Sequence, residues 1–292
     1  MFKVLITGAK GQVGTELIKA APADFKVIGL GSDQLDITKQ QHVKAAITQY
    51  QPDLIINAAA YTAVDKAESD SAIAFAVNEQ GVAWLAQAAS DTNIPLFHIS
   101  TDYVFDGTAN SPYKETDPVN PQSVYGASKL AGEQVLASTL SKHIILRTSW
   151  VFGTTGNNFV KTMLRLGAER DELSVVADQY GCPTSATSIA AVLWKLAQTY
   201  ATKGSLPWGV YHFSNSPACT WYDFACEVFA QAVGAGLLDK KPTVHSKTTA
   251  EYPTPAQRPK WSVLDTEKIE DFSKIKVQTW QQQLSELLKE IK

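Results

Sequence analysis

Tyr125 and Lys129 are the residues whose types and spacing point most directly to chemistry. They stand four apart on the helical stretch Val124–Leu140, so a phenol and an ammonium project from one helix face. A free phenol has a pKa near ~10, too high for efficient proton transfer at neutral pH. A neighbouring ammonium favours the phenolate and is expected to lower that value. Ser100 and Thr101 end the apolar run that starts at Leu96, and the Thr101 hydroxyl is placed to orient a carbonyl and share its proton with Tyr125. A lone YxxxK arises by chance on many helices, usually as a solvated lysine beside a half-buried tyrosine. What argues for chemistry here is order along the chain: a glycine turn, then strand-end hydroxyls, then this pair.

The glycine turn is Gly8-Ala9-Lys10-Gly11-Gln12-Val13-Gly14, spaced GxxGxxG between a strand and a helix. Gly8 turns the chain tightly, Gly11 lets the backbone approach a pyrophosphate, and Gly14 lets helix and strand pack closely. The helix N-terminus then faces the anion. This predicts a dinucleotide site, with the Lys129 ammonium as donor to its ribose. The residue that reads that ribose falls at Leu30-Gly31-Ser32, with Asp33 two places late. No acid opposes a 2′-phosphate there and no arginine greets one, so NADPH is preferred over NADH.

Elements able to position these groups alternate through the first half. Lys3–Thr7, Lys26–Leu30, Leu54–Asn57, Leu96–Ser100 and His143–Trp150 read as strands. Helical patterns at Thr15–Ala21, Gln40–Tyr50, Phe75–Ser90 and Val124–Leu140 separate them. Near-continuous apolar strands between helices imply a parallel sheet covered on both faces, a doubly wound α/β fold of the Rossmann type. Beyond Gly153 come helices at Asn158–Glu169, Ser188–Tyr200, Tyr222–Val233 and Thr279–Ile291, and strands at Leu173–Ala177 and Val210–Ser214. The Pro-rich stretch Tyr252–Pro259 reads as a loop. Residues 1–152, with 185–214, are expected to form the dinucleotide-binding domain. Residues 153–184 and 215–292 are expected to form a smaller, loop-rich C-terminal substrate lobe.

Composition removes other classes. The chain has 292 residues, 45% hydrophobic and 19% charged, with a formal net charge of −3, which suits a globular protein and not a nucleic-acid binder. Three cysteines form no CxxC pair, the five histidines show no metal-ligand spacing, and no apolar run approaches membrane-spanning length. The expectation is a cytoplasmic protein with reduced thiols and no membrane partner.

The runs GAKGQVG, NAAAYTAVDKAE (Asn57–Glu68), STDYVFDG (Ser100–Gly107), YGASK (Tyr125–Lys129) and RTSWVFG (Arg147–Gly153) together are much more specific than YxxxK. So are NNFVKTMLRL (Asn157–Leu166), DQYGCPT (Asp178–Thr184) and YPTPAQRP (Tyr252–Pro259). With them the chain resembles the dTDP-4-dehydrorhamnose reductases, of the extended short-chain dehydrogenase superfamily, over nearly its whole length. The resemblance implies hydride transfer from NADPH or NADH to the C4 ketone of dTDP-4-dehydro-L-rhamnose. It places Gly11, Gln12 and Val13 at the pyrophosphate, Asp36 and Ile37 at the adenine, and Ala60, Tyr61 and Thr62 beside the cofactor. It shares Tyr125 and Lys129 between chemistry and cofactor, and gives Thr101, Asp102 and Trp150 to the substrate, with Val64, Tyr103 and Asn158 nearby. Arg258 would pair with the nucleotide diphosphate, which suits a guanidinium fork.

Some members of that family dimerise through a magnesium ion held by glutamates. Glu16 matches one such ligand, but Ser185–Ser188 lacks the second, so no metal is expected, and the chain is read as a monomer or homodimer. Two alternatives differ in kind. One is another extended short-chain nucleotide-sugar enzyme, an epimerase or dehydratase; a dehydratase usually carries two acids where Thr101-Asp102 stands. The other is a non-catalytic NADP-binding module like the regulatory subunit of methionine adenosyltransferase.

Overall fold

The computed structural model describes residues 1–291. Six strands form one parallel sheet: β1 (Phe2–Thr7), β2 (Phe25–Leu30), β3 (Leu54–Asn57), β4 (Leu96–Thr101), β5 (His143–Thr148) and β6 (Gly209–His212). Their order is β6-β5-β4-β3-β1-β2. The winding reverses at β1, which has β2 on one side and β3 on the other. Ligands of doubly wound sheets collect at the carboxyl ends of the strands beside such a reversal.

Alternation along the strands builds two cores. Val4, Ile6, Leu54, Ile56 and Phe97 face α1 (Gln12–Lys19) and a later helix, Ala186–Lys203, whose Ile189 and Leu193 join them. Leu5, Ile55, Leu96 and Ile145 face the other way, onto α2 (Gln40–Tyr50), α3 (Gly81–Asp91) and α4 (Val124–Thr139). Burial on both faces explains why these strands read as unbroken apolar runs. A third core lies beyond the sheet. It joins Phe152 to α5 (Phe159–Glu169), α7 (Trp221–Gly234) and α8 (Trp280–Glu290), the helix against the sheet being α6 (Ala186–Lys203).

Three expectations change. The strand expected over His143–Trp150 ends at Thr148, and Trp150 takes a left-handed φ of +47°. The chain then pairs elsewhere, Val151 with Thr184 and Phe152 with Ser185. The helix expected over Phe75–Ser90 starts earlier, at Ser71, and is interrupted by a π-turn at Ala76–Gln80. Third, Glu172–Val176 pairs with Thr243–Lys247, a half-exposed polar strand without an apolar signature.

Candidate active site

The cofactor end of the site starts where β1 stops. Gly8 has φ +66°, and a Cβ there would lie 2.5 Å from the Ala59 nitrogen across the switch point. A Cβ on Gly14 would overlap the Gly8 carbonyl, so the first turn of α1 lies directly on the β1 turn. Gly11 is the N-cap and offers no side-chain cap, so the backbone N–H groups of the first helical turn stay directed outward. Gln12 and Val13 line the cleft above them. Uncapped donors at a helix N-terminus, on a surface kept flat by glycine, suit a pyrophosphate.

The chemical end lies along β4 and α4. The Ser123 hydroxyl accepts from the Gly126 N–H and starts α4, which sets Tyr125 and Lys129 in its first two turns. A Cβ on Gly132 would strike the Asn78 carbonyl, so α4 seats closely on the π-turn. The Asn78 side chain in turn holds the Tyr61 backbone and the Ser128 hydroxyl. Tyr125, Lys129, Thr101, Asp102, Tyr103 and Trp150 all line one cleft of about 590 Å³ together with Gly11, Gln12, Val13, Ala60, Thr62, Val64 and Arg258.

Burial dominates the electrostatics. It pushes the Tyr125 phenol up to about 12, against a hydrogen bond with Thr101 that lowers it. Lys129 is pushed down to about 8 by burial, with Glu133 pulling the other way. The expected lowering of the Tyr125 pKa by Lys129 is therefore not found. Lys129 Nζ instead donates to the Ile99 carbonyl at 2.7 Å and lies 3.3 Å from His98 Nε2. Asp102 is pushed up to about 6 by burial, while Oδ1 accepts from the Thr101 hydroxyl at 2.9 Å. Three buried polar atoms of the cleft, Ser100 Oγ, Asp102 Oδ2 and Thr148 Oγ1, have no hydrogen-bond partner in the protein. Buried polar groups are seldom left unpaired, so such a cluster marks a surface shaped for a polar ligand.

Other expected residues stand apart from the cleft or are held by neighbouring side chains. Asp36 caps its own turn, accepting from the Thr38 N–H and hydroxyl, and Ile37 is buried against Gly81. Tyr61 sends its hydroxyl to Asp70. Asn158 caps α5 and donates to Gln12 Oε1 and the Gly153 carbonyl, so it braces the wall. Arg258 is on the rim, but both terminal nitrogens are engaged by Asp65, at 3.0 and 2.7 Å, so the expected diphosphate contact would have to share it. Glu16 is buried and accepts from Thr154 and Thr187 hydroxyls. Among the described residues no cluster of three or more His, Cys, Asp and Glu is arranged for a metal, and no helix is long and apolar enough to cross a membrane.

Trp221 escaped the sequence reading. It stacks on Trp150 with ring centroids 3.5 Å apart and planes 8° from parallel, and with Phe159 it forms an aromatic wall. Trp221 begins a helix 71 residues beyond Trp150, and no local pattern announces their meeting.

Comparison with known proteins identifies the family. The RmlD substrate binding domain family matches residues 2–292. A dTDP-4-dehydrorhamnose reductase from Aggregatibacter actinomycetemcomitans is 47% identical over 98% of both chains. The chain belongs to the dTDP-4-dehydrorhamnose reductase family. Another relative is the spore coat polysaccharide biosynthesis protein SpsK of Bacillus subtilis, 40% identical over 99% of this chain and 98% of its own. Among solved structures, the family member from Bacillus anthracis in complex with NADP superimposes with a TM-score of 0.92, at 37% identity over 99% of this chain and 100% of its own.

Proposed function

We propose that this chain reduces the C4 ketone of dTDP-4-dehydro-L-rhamnose to dTDP-L-rhamnose with NADPH or NADH. The observation that carries the reading is the row of unpartnered hydroxyl and carboxylate oxygens at Ser100, Asp102 and Thr148, in the cleft that also holds Tyr125 and Lys129. A polyhydroxylated ring satisfies such atoms; an apolar ligand would leave them bare. The NADP held by the Bacillus anthracis relative supports the choice of cofactor.

NADPH, when bound at Gly11, Gln12 and Val13, supplies the hydride. Tyr125 donates its phenolic proton to the oxygen that was the ketone, and with its pKa up at about 12 it holds that proton at neutral pH. Thr101 orients that oxygen. Asp102 accepts from a sugar hydroxyl, and Trp150, Trp221 and Phe159 present an apolar wall to the ring and keep water out. In this reading residues 1–152 and 185–214 form the dinucleotide-binding domain, whose Thr101, Asp102 and Trp150 also face the sugar, and 153–184 with 215–292 form the substrate lobe.

The test is NADPH oxidation by the purified chain with dTDP-4-dehydro-L-rhamnose. The expected result is one NADP⁺ released for each sugar reduced. A cofactor that stays bound while a sugar carbon inverts would make the chain an epimerase. Tight NADP binding without turnover would make it a binding module.

A further inference from the structure

Behind the catalytic pair a polar row crosses the sheet. Thr7, Asn57 and His98 are register partners on β1, β3 and β4, all fully buried. Thr7 donates its hydroxyl to Asn57 Oδ1 at 2.5 Å, and the Ala59 backbone N–H reaches the same oxygen at 3.1 Å. A backbone N–H is only a donor, so it fixes that atom as the oxygen. Asn57 Nδ2 must then donate to His98 Nδ1, 2.9 Å away. Nδ1 is an acceptor, which puts the single proton of the ring on Nε2. That Nε2–H points at Lys129 Nζ, 3.3 Å away. An ammonium has no lone pair to receive it, whereas an uncharged amine does.

We propose that His98 is a positioning residue for the catalytic pair: a neutral imidazole, locked by Asn57, whose fixed N–H opposes the charged form of Lys129. This rests on the reductase reading above. When Tyr125 gives its proton to the sugar, a phenolate remains that must be reprotonated. Lys129, made a readier acid by His98, supplies that proton: an N–H bond of the ammonium breaks, the phenolic O–H re-forms, and solvent water returns a proton to the amine.

Other groups around the lysine do not replace this effect. Glu133, one turn along α4, favours the ammonium, but its carboxylate is held by Arg147 of β5 in a buried pair at 2.6 Å. From β4 the ionisable group is His98 and from the turn after it Asp102, from α4 Tyr125 and Glu133, and from the rim Tyr103 and the Arg258–Asp65 pair. β1 and β3 bring only the uncharged Thr7 and Asn57 to the row. Burial and the nearby Lys129 both hold the His98 imidazole well below its ordinary value, as the hydrogen-bond directions require.

The experiment has two readouts. Long-range proton–nitrogen spectra of the NADP⁺-bound protein should show His98 as the Nε2–H tautomer at neutral pH. An Nδ1–H tautomer or an imidazolium overturns the proposal. For the reduction, His98→Leu removes the opposing N–H, and the basic limb of the kcat profile should move up by about one pH unit, the size a single hydrogen bond supports. His98→Gln, whose amide can accept from Asn57 and donate to Lys129, should restore the wild-type limb. An unmoved limb in His98→Leu, or the same shift in both variants, refutes the role. If wild type reduces no keto-sugar, the proposed function fails, and the tautomer still decides this inference alone.

Discussion

Asp102→Asn should stabilise the protein at neutral pH and weaken it modestly in acid. The carboxyl is 2% exposed, and burial raises its pKa from the ordinary 3.8 to about 6. That difference corresponds to roughly 3 kcal/mol of penalty on the charged form. In the unfolded chain Asp102 ionises as pH passes about 4, while in the folded protein it holds its proton until about 6. Between those values the folded state binds more protons, so this group's contribution falls as pH rises through the window and stays low above it. Asparagine removes the penalty but buries an amide N–H₂, which costs roughly 1–2 kcal/mol if left unpaired. The net gain at pH ~8 is therefore expected at about 1–2 kcal/mol, and the mutant-minus-wild-type difference should change by roughly 3 kcal/mol between pH ~4 and pH ~8, because the amide cost is the same at both. Urea unfolding of both proteins, ligand-free, across that range measures it. A mutant-minus-wild-type difference that is flat with pH would refute the reasoning. The same substitution should raise KM for the sugar, because Oδ2 is the acceptor the cleft offers.

Tyr125→Phe keeps the ring against Tyr103 but removes the proton donor, so turnover should fall roughly 10²–10⁴-fold with cofactor Kd little changed; near-normal turnover would make Tyr125 structural. Gly14→Ala drives a methyl into the Gly8 carbonyl, and should cost about 1–3 kcal/mol in thermal or urea unfolding and weaken NADPH binding. Glu133→Leu strands the buried Arg147 without its partner, an expected loss of about 3–5 kcal/mol in the same assay. At Gly31 the space for a Cβ is limited only by the tips of Lys10 and Asp33, an exposed pair free to move. Gly31→Asp should thus fold, and steady-state kinetics should show kcat/KM for NADPH falling roughly tenfold relative to NADH.

The sheet was legible because each central strand is buried on both faces and leaves an apolar run. The pair Tyr125 and Lys129 was legible because helical spacing is local. Where a run carried on past its strand, the reading overshot: Trp150 prolongs the pattern, but its +47° φ turns the chain off the sheet. His98 was hidden for the opposite reason. It sits inside Leu96–Ser100, where one polar residue reads as a tolerated core histidine, and its meaning comes from its register partner Asn57, 41 residues away, and from Thr7 beyond it. Asp36 and Ile37 were placed at the adenine by resemblance alone. In the structure Asp36 accepts from the Thr38 N–H and Ile37 packs against Gly81.

Gly181 lies behind the indole of Trp150, and any Cβ there would collide with the ring. Trp221 lies flat on Trp150. The indole is thus gripped like a leaf between two pages, and a methyl group at 181 has nowhere to go except by pushing the ring sideways. On the proposed function, the bore of the sugar site is gauged by a residue absent from the cleft's lining. A search for variants that accept bulkier or slimmer sugars would do well to begin at this glycine, where a change of one carbon moves a whole aromatic surface.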